Sequence, residues 1–600
     1  MLTYKRLAAL GQAVGQLQPA RATKGIAQFR IEFFNLLTPQ LRQSAWGGDH
    51  DRHRKTSPMP KRLNIEKGWL CTTIFFAVGG FIVISGGCKG GGTGAPTLSS
   101  IAVTPANALL AQGMTQQFKA IGTNSDNSTE DVTATTVWTS SATSVATINA
   151  TGVATSVGIG TTTIRASSGS ISGSTMLSVT PTSLSQVIQH VVIIFQENRT
   201  PDNLFHGLPG ADIANSGTNS AGQTIPLTAT SLVTNYDLGH SHGSFVQMYD
   251  GGKMDGADKV SISCAANAAG CPPANPQFKY VNPSEVQPYF QLAEQYTFGD
   301  RMFQSNQGPS FPAHQFIIAG TSAPTATSNL FAAENPVVPT GAAPTGEGAG
   351  CNAPIGTVVN MIDPSGVESS KMYPCFEHAT LTDLLDSQAI DWRYYAPSAA
   401  GLSIWVGPDA IQHIRFGGDW SKVVLNQTQV LTDIANGHLA QVSWVIPSGQ
   451  ASDHAESNDG SGPSWVASVV NALGNSPYWQ NTAIFITWDD WGGWYDHVPP
   501  PSVLNSYEYG FRVPLIVVSP YAKRAYISHV SHDFGSILKF IEVLFKLPSL
   551  GFADSHADDL SDCFDLTQVP PVFNPVSAKF NAQHFLNDRR SPLPPDDDDQ

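Results

Sequence analysis

Charge is what this 600-residue chain has least of: 13% of its residues are charged, against 41% hydrophobic. That balance excludes an intrinsically disordered chain, which needs high charge and few apolar residues. Basic residues are the scarcer sign. Nine of the 32 Lys+Arg lie in residues 1–58 and three in residues 59–87, so the chain from Cys88 onward carries 20 basic against 43 acidic residues. A surface that acidic repels nucleic acid phosphates and anionic lipid, which argues against either as a docking partner. It repels an anionic substrate as well, unless a bound cation reverses the sign locally. Cysteine is also scarce, at seven residues, and no C-x-x-C or Cys/His cluster in the sequence suggests zinc.

Six hundred residues exceed one ordinary core, so two or more domains are expected. Residues 1–58 read as disordered, or as sequence upstream of a true start at Met59. Met59-Pro60-Lys61-Arg62 opens a short basic segment, Gly68 to Ser85 is almost uninterrupted apolar sequence, and Ser-Gly-Gly-Cys88 follows. This order is that of a bacterial lipoprotein signal over residues 59–88, with the Cys88 thiol taking the lipid. The alternative is a single membrane-spanning helix, since 18 apolar residues can just cross a bilayer. The cysteine at the cleavage position favours the lipoprotein, although Ser85 stands where such signals usually carry Leu. The expectation is an exported protein of the bacterial cell envelope, periplasmic or on the cell surface, tied to the membrane through Cys88. Export makes the later cysteines disulfide candidates: Cys264 with Cys271 and Cys351 with Cys375, leaving Cys563 over.

Residues 89–97 form a Gly/Thr/Pro tether. From 98 to 181 the composition shifts to Thr, Ser, Ala, Val and Gly, with short alternating runs such as Ser100–Val103, Val137-Trp138, Thr161–Ala166 and Met176–Val179. Strands at this spacing predict a β-sandwich. Ile101-Ala-Val-Thr-Pro105, Trp138-Thr-Ser-Ser141 and Ala146-Thr-Ile-Asn-Ala-Thr-Gly152 resemble the bacterial Ig-like group 2 domain, here a spacer or adhesive module without an ionisable constellation. Beyond it, Val191–Phe195, Val442–Ile446, Ala483–Thr487 and Leu515–Val518 are continuous apolar runs, as in strands buried on both faces. Helical stretches such as Ser464–Leu473 and Phe534–Phe545 lie between them. That alternation predicts an α/β domain over residues 185–585 with a parallel sheet covered by helices, then a disordered acidic tail, 586–600. Thr321–Gly350 reads as a long surface loop.

Two of the buried strands run straight into carboxylates: Val191–Phe195 into Gln196-Glu197-Asn198, and Ala483–Thr487 into Trp488-Asp489-Asp490. Hard oxygen ligands gathered at strand ends suit a divalent cation, and ligands of open α/β sheets bind there. Glu197, Asn198, Asp489 and Asp490 are therefore the candidate metal ligands. In Gly308-Pro309-Ser310-Phe311-Pro312, the proline suits a first helical turn and places Ser310 at a helix N-terminus, where an alkoxide or phosphate is stabilised. An ordinary helix cap is the competing reading of that serine. His240, His242, His454, His497 and His532 each stand beside carboxylates or hydroxyls, as histidines that bind metal or protonate a leaving group do.

Glu197-Asn198-Arg199-Thr200-Pro-Asp202-Asn203-Leu-Phe205, Gly252-Lys-Met-Asp-Gly256, Gly308-Pro-Ser310 and Thr487-Trp-Asp-Asp490 with Gly492-Gly-Trp-Tyr-Asp-His497 occur in series. Arg512-Val-Pro514, Ser519-Pro-Tyr521 and His532-Asp533 complete it. Together they resemble the bacterial acid phosphatase / phospholipase C phosphoesterase family over roughly 400 residues. The resemblance implies an alkaline-phosphatase-like three-layer α/β/α sandwich that hydrolyses a phosphate-ester small molecule or a phospholipid headgroup. It implies a divalent metal on Glu197, Asn198, Asp489 and Asp490, Ser310 as nucleophile, and His242, His454 and His497 contacting or protonating the phosphoryl group. Spacing does not choose between His240 and His242. The family often has Asn where this chain has Ala313, and Glu-Asn where it has Asp490-Trp491. A sulfatase on the same fold is disfavoured, because Ser310-Phe-Pro-Ala-His314 lacks the Arg of the sulfatase motif. A surface adhesion lipoprotein with an inert catalytic fold is the alternative from another class.

Overall fold

The computed structural model describes residues 95–339, 349–397, 404–501 and 506–591. The expectations for residues 1–58, for the signal at 59–88 with its Cys88, and for the tail beyond Ser591 lie outside the described residues. A helix, Ala582–Asn587, runs across the expected start of the tail at residue 586, so order continues slightly past residue 585.

Alternating small and apolar residues build the sandwich between Leu98 and Thr180. One sheet joins Leu98–Thr104, Lys119–Asn124 and Thr129–Asp131, and a second joins Ala108–Ala111, Ile171–Thr180, Gly160–Ser168 and Val137–Ser140. Thr115–Gln117, Val153–Ser156 and Ala146–Ile148 form a third, short one. The inward positions Ile101, Val103, Phe118, Trp138, Ile164, Leu177 and Val179 form its core, separate from that of the larger domain. Truncating a buried aromatic such as Trp138 costs about 3–5 kcal/mol.

The larger domain centres on nine strands: β1 (His190–Gln196), β2 (Thr297–Phe303), β3 (Trp392–Tyr395), β4 (Val423–Val424), β5 (Val442–Val445), β6 (Thr482–Trp488), β7 (Arg512–Val518), β8 (Tyr526–Ser528) and β9 (His532–Asp533). Their order is β4-β3-β5-β1-β6-β7-β2-β8, with β9 also on β2. The expected parallel sheet holds for every pairing except those of β7, which runs antiparallel to both β6 and β2. Among its helices are α1 (Pro201–Leu204), α2 (His242–Tyr249), α3 (Gln287–Gln295), α4 (Ser310–Ala319), α5 (Leu381–Ser387), α6 (Gln429–Asn436), α7 (Gly462–Gly474) and α8 (Phe534–Phe545). Helices α3 and α6 pack on α7, whereas α4 packs on α8 and α5. These two helical layers enclose the sheet in an α/β/α sandwich. Both disulfides anticipated above are present, Cys264–Cys271 and Cys351–Cys375.

Candidate active site

Strands β1 and β6 are parallel neighbours with Gln196 opposite Trp488, so the next residues, Glu197 and Asp489, leave the sheet side by side. Glu197, Asn198, Asp489 and Asp490 are all fully buried. Asn198 adopts a left-handed φ of 64°, which Asn tolerates, and its backbone N–H donates to Asp489 Oδ1 at 3.1 Å. Gly492 lies against this turn: a Cβ there would stand 2.4 Å from the Asn198 carbonyl oxygen. With φ of 61°, only glycine fits the position without strain. The Gly492 N–H donates to Asp490 Oδ1 at 2.7 Å.

Both Glu197 carboxylate oxygens, Asn198 Oδ1 and Asp489 Oδ2 are buried without a hydrogen-bond partner. Orphaned lone pairs on adjacent acidic groups are costly unless a cation sits among them. Burial, then the carboxyls of Asp489, Asp490 and Asp453, pushes the Glu197 carboxyl well above its ordinary range. Burial and Asp489 do the same to Asp490, opposed by His240 and His454. A divalent cation fits this donor set.

Sequence reasoning missed a further donor. His314 follows Ser310 by one helical turn on α4, with Nε2 at 3.4 Å from Glu197 Oε1 and 3.8 Å from Asp489 Oδ2. Its Nδ1 lies 3.1 Å from Tyr394 Oη, whose hydroxyl donates to the Trp405 carbonyl at 2.7 Å. Tyr394 therefore accepts from Nδ1–H, and the Nε2 lone pair is left toward the carboxylates, as in metal-ligating histidines oriented by a second group. Burial lowers the His314 pKa to about 4, which keeps the ring neutral. The signal available in the sequence was the i, i+4 spacing from Ser310.

Ser310 is the first residue of α4, after Pro309, and caps nothing; its hydroxyl points to Asp490 Oδ2 at 3.4 Å. The competing cap reading is therefore not what the serine does. Of the pair His240 and His242, it is His240 that touches the candidate ligands. His240 Nδ1 bonds the Leu238 carbonyl at 2.8 Å, and its Nε2 accepts from Asn198 Nδ2 at 3.0 Å, which turns Asn198 Oδ1 toward the cluster. His454 packs against His240, with ring centroids 5.8 Å apart, and its Nδ1 is held by the Ala455 carbonyl at 2.7 Å. His242 instead opens α2, with Nδ1 bonded to Glu368 at 2.7 Å. His497 is committed elsewhere as well. Its Nδ1 meets Asp202 Oδ2 at 2.8 Å and its Nε2 meets Asp212 Oδ1 at 3.1 Å, so neither ring nitrogen is left for a phosphoryl group. Arg512 completes that network through Asp496 and Asp202.

A model described as the Phosphoesterase family matches residues 188–548, more than half of the chain and every residue of the cluster. The chain belongs to the phosphoesterase family. A bacterial Ig-like (group 2) model matches residues 98–179 ahead of the phosphoesterase part. Among curated relatives, a non-hemolytic phospholipase C of Burkholderia pseudomallei is 23% identical over 415 residues, covering 60% of this chain and 55% of that protein. Phospholipase C B of Mycobacterium tuberculosis is 22% identical over 451 residues, covering 65% and 80%. The chain thus spans little more than half the length of the first of these. Among solved structures, a Vibrio parahaemolyticus protein of the alkaline phosphatase superfamily aligns with a TM-score of 0.28 at 10% identity, covering 63% of this chain and 72% of that one.

Proposed function

We propose that this phosphoesterase hydrolyses phosphate esters, either small monoesters or phospholipid headgroups, through a phosphoserine on Ser310. The observation that carries the reading is the group of orphaned oxygens on Glu197, Asn198 and Asp489 beside the Ser310 hydroxyl at the start of α4. A divalent cation bound there supplies the positive charge that an acidic protein needs to accept an anionic substrate and to favour the serine alkoxide. Ser310 Oγ attacks phosphorus, forming the Ser310 O–P bond as the bond to the ester oxygen breaks. Asp490 Oδ2 is placed to take the hydroxyl proton. His454, in its imidazolium form, protonates the departing alkoxide, and water then hydrolyses the phosphoserine. His240 holds the Asn198 carboxamide in place. The dipole of α4 favours negative charge at its first turn, where the Phe311 N–H is taken by Asn335 Oδ1 at 3.0 Å and Pro312 has none to offer. The same reading places the enzyme outside the cytoplasm, held to the envelope through a lipid on Cys88.

Ser310→Ala tests the core of this reading. The variant should fold and melt near the wild type, hydrolyse phosphate esters at least ~10³-fold more slowly, and trap no labelled phosphate on acid quench. A folded variant keeping more than about a tenth of the wild-type kcat would place the nucleophile elsewhere.

A further inference from the structure

Three groups of metal-capable side chains stand among the described residues, and only one serves the proposed chemistry. The Asp202, Asp496 and His497 group is already neutralised by Arg512, whose Nε lies 3.0 Å from Asp496 Oδ1, and has no need of a cation. The remaining group is His532, Asp562 and Cys563. Cys563 is fully buried and, among the described residues, is the cysteine that the two disulfides leave over.

His532 Nδ1 lies 2.8 Å from Asp558 Oδ1. That carboxylate also accepts from the Ser536 hydroxyl at 2.6 Å and from the Leu560 N–H at 2.9 Å. Nδ1 is thus engaged with a carboxylate that two further donors already hold. The opposite nitrogen, Nε2, faces a mixed donor set: Ser528 Oγ at 3.1 Å, Asp562 Oδ1 at 3.6 Å and Cys563 Sγ at 4.0 Å. Sγ in turn is 3.6 Å from Asp562 Oδ1.

These separations are close to those around a tetrahedral ion. With bonds of about 2.0–2.1 Å to nitrogen and oxygen and about 2.3 Å to sulfur, tetrahedral geometry sets N···O near ~3.3 Å and S···N or S···O near ~3.5 Å. The observed triangle is wider by at most about half an ångström. A carboxylate on the far side of the imidazole, as Asp558 is here, accompanies metal-bound histidine as a rule. We propose that His532 Nε2, an Asp562 carboxylate oxygen and Cys563 Sγ bind a thiophilic divalent cation of the zinc class, with Ser528 Oγ or water at the fourth position. Binding displaces the thiol proton of Cys563, and any proton on Nε2, to solvent.

Donor chemistry separates this site from the one beside Ser310. Oxygen donors with one imidazole there favour a harder ion, whereas a thiolate here selects zinc over magnesium or calcium. Its role is structural. It joins β8, β9 and the turn at Ser561–Cys563, and the adjacent Asp533 caps α8 and accepts from Ser305 Oγ at 3.0 Å in the segment leading to α4.

The test uses the full chain stripped of metal and titrated with Co²⁺, whose thiolate complexes absorb in the near ultraviolet. The wild type should develop that absorption, and Cys563→Ser should lose it together with one equivalent of zinc by elemental analysis. Asp562→Asn, at a partly exposed position, should weaken binding at least ~10-fold and covers the case in which the cysteine variant does not fold. Glu197→Gln should lose the other metal and keep the cobalt–thiolate band, so the outcome is independent of the reading of Ser310. No thiolate absorption in the wild type, or a band unchanged in folded Cys563→Ser, overturns the proposal.

Discussion

His497→Ala separates a catalytic histidine from an ion-pair histidine, and the structure sets the size of the effect. Although burial opposes it, the hydrogen bond and charge of Asp202 raise the His497 pKa to about 9, from an ordinary 6.5. A gap of that size is worth about 3 kcal/mol. With 28% of the side chain exposed, solvent screening trims this to about 2–3 kcal/mol. The folded-state pKa is raised, so this stability is fully present below pH 6.5 and is lost as pH rises through about 9. The difference in unfolding free energy between wild type and His497→Ala should therefore shrink by about 2–3 kcal/mol between pH 6 and pH 10, read from denaturant titrations at several pH values. At pH 7 the folded variant should keep kcat within about tenfold of wild type. A fall of kcat beyond ~10²-fold, with a stability difference that does not change with pH, would return His497 to the phosphoryl group and refute the argument.

In metal-stripped protein, Glu197→Gln should be more stable than wild type at neutral pH, because it removes a carboxyl that burial and its acidic neighbours push well above its ordinary range; with metal restored the order should reverse, as chelator-paired denaturation curves would show. His314→Ala should weaken metal binding at the Ser310 site by about 10–100-fold while leaving a folded protein, measured by competition with a chelating dye; unchanged affinity would remove His314 from the ligand set. Cys88→Ala should abolish membrane fractionation and leave the precursor unprocessed; unaltered mature size and fractionation would end the lipoprotein reading.

Much of this was legible before the fold, for identifiable reasons. Strands β1, β5, β6 and β7 are continuous apolar runs, and α8 spans the predicted Phe534–Phe545. Strand β2 was missed because Asp300 and Arg301 interrupt its run, and β3 because Arg393 interrupts its aromatics. The clustering of the candidate oxygens was legible because Glu197-Asn198 and Asp489-Asp490 stand at the ends of two buried strands. The histidines were not, since a sequence says which residues stand near a carboxylate in the chain but not which carboxylate each ring will meet. His497 reads as catalytic beside Asp496, yet its partners Asp202 and Asp212 come from about 290 residues away. Cys563 and His532 are likewise 31 positions apart and join only in space.

The reversed direction of β7 governs how the mouth of the site is held. A parallel neighbour would need a crossover helix to carry the chain back across the sheet, whereas β7 begins at the edge where β6 ends, with Thr487 opposite Leu515. The chain thus leaves the sheet beside Asp489 and re-enters it at Arg512, with both feet on the same rim, and the described residues between bring Asp490 and Tyr507. The first foot is the cluster at Asp489, and the second is Arg512, gripped by Asp496, Asp202 and the Asp300 carbonyl. Between these feet Trp491, Trp494 and Tyr495 are buried and Gly492 lies against the Asn198 turn, so this stretch is packed down rather than hung free. A change between the feet would therefore reach both the carboxylate cluster and the Arg512 network, which the reversed strand binds into one unit.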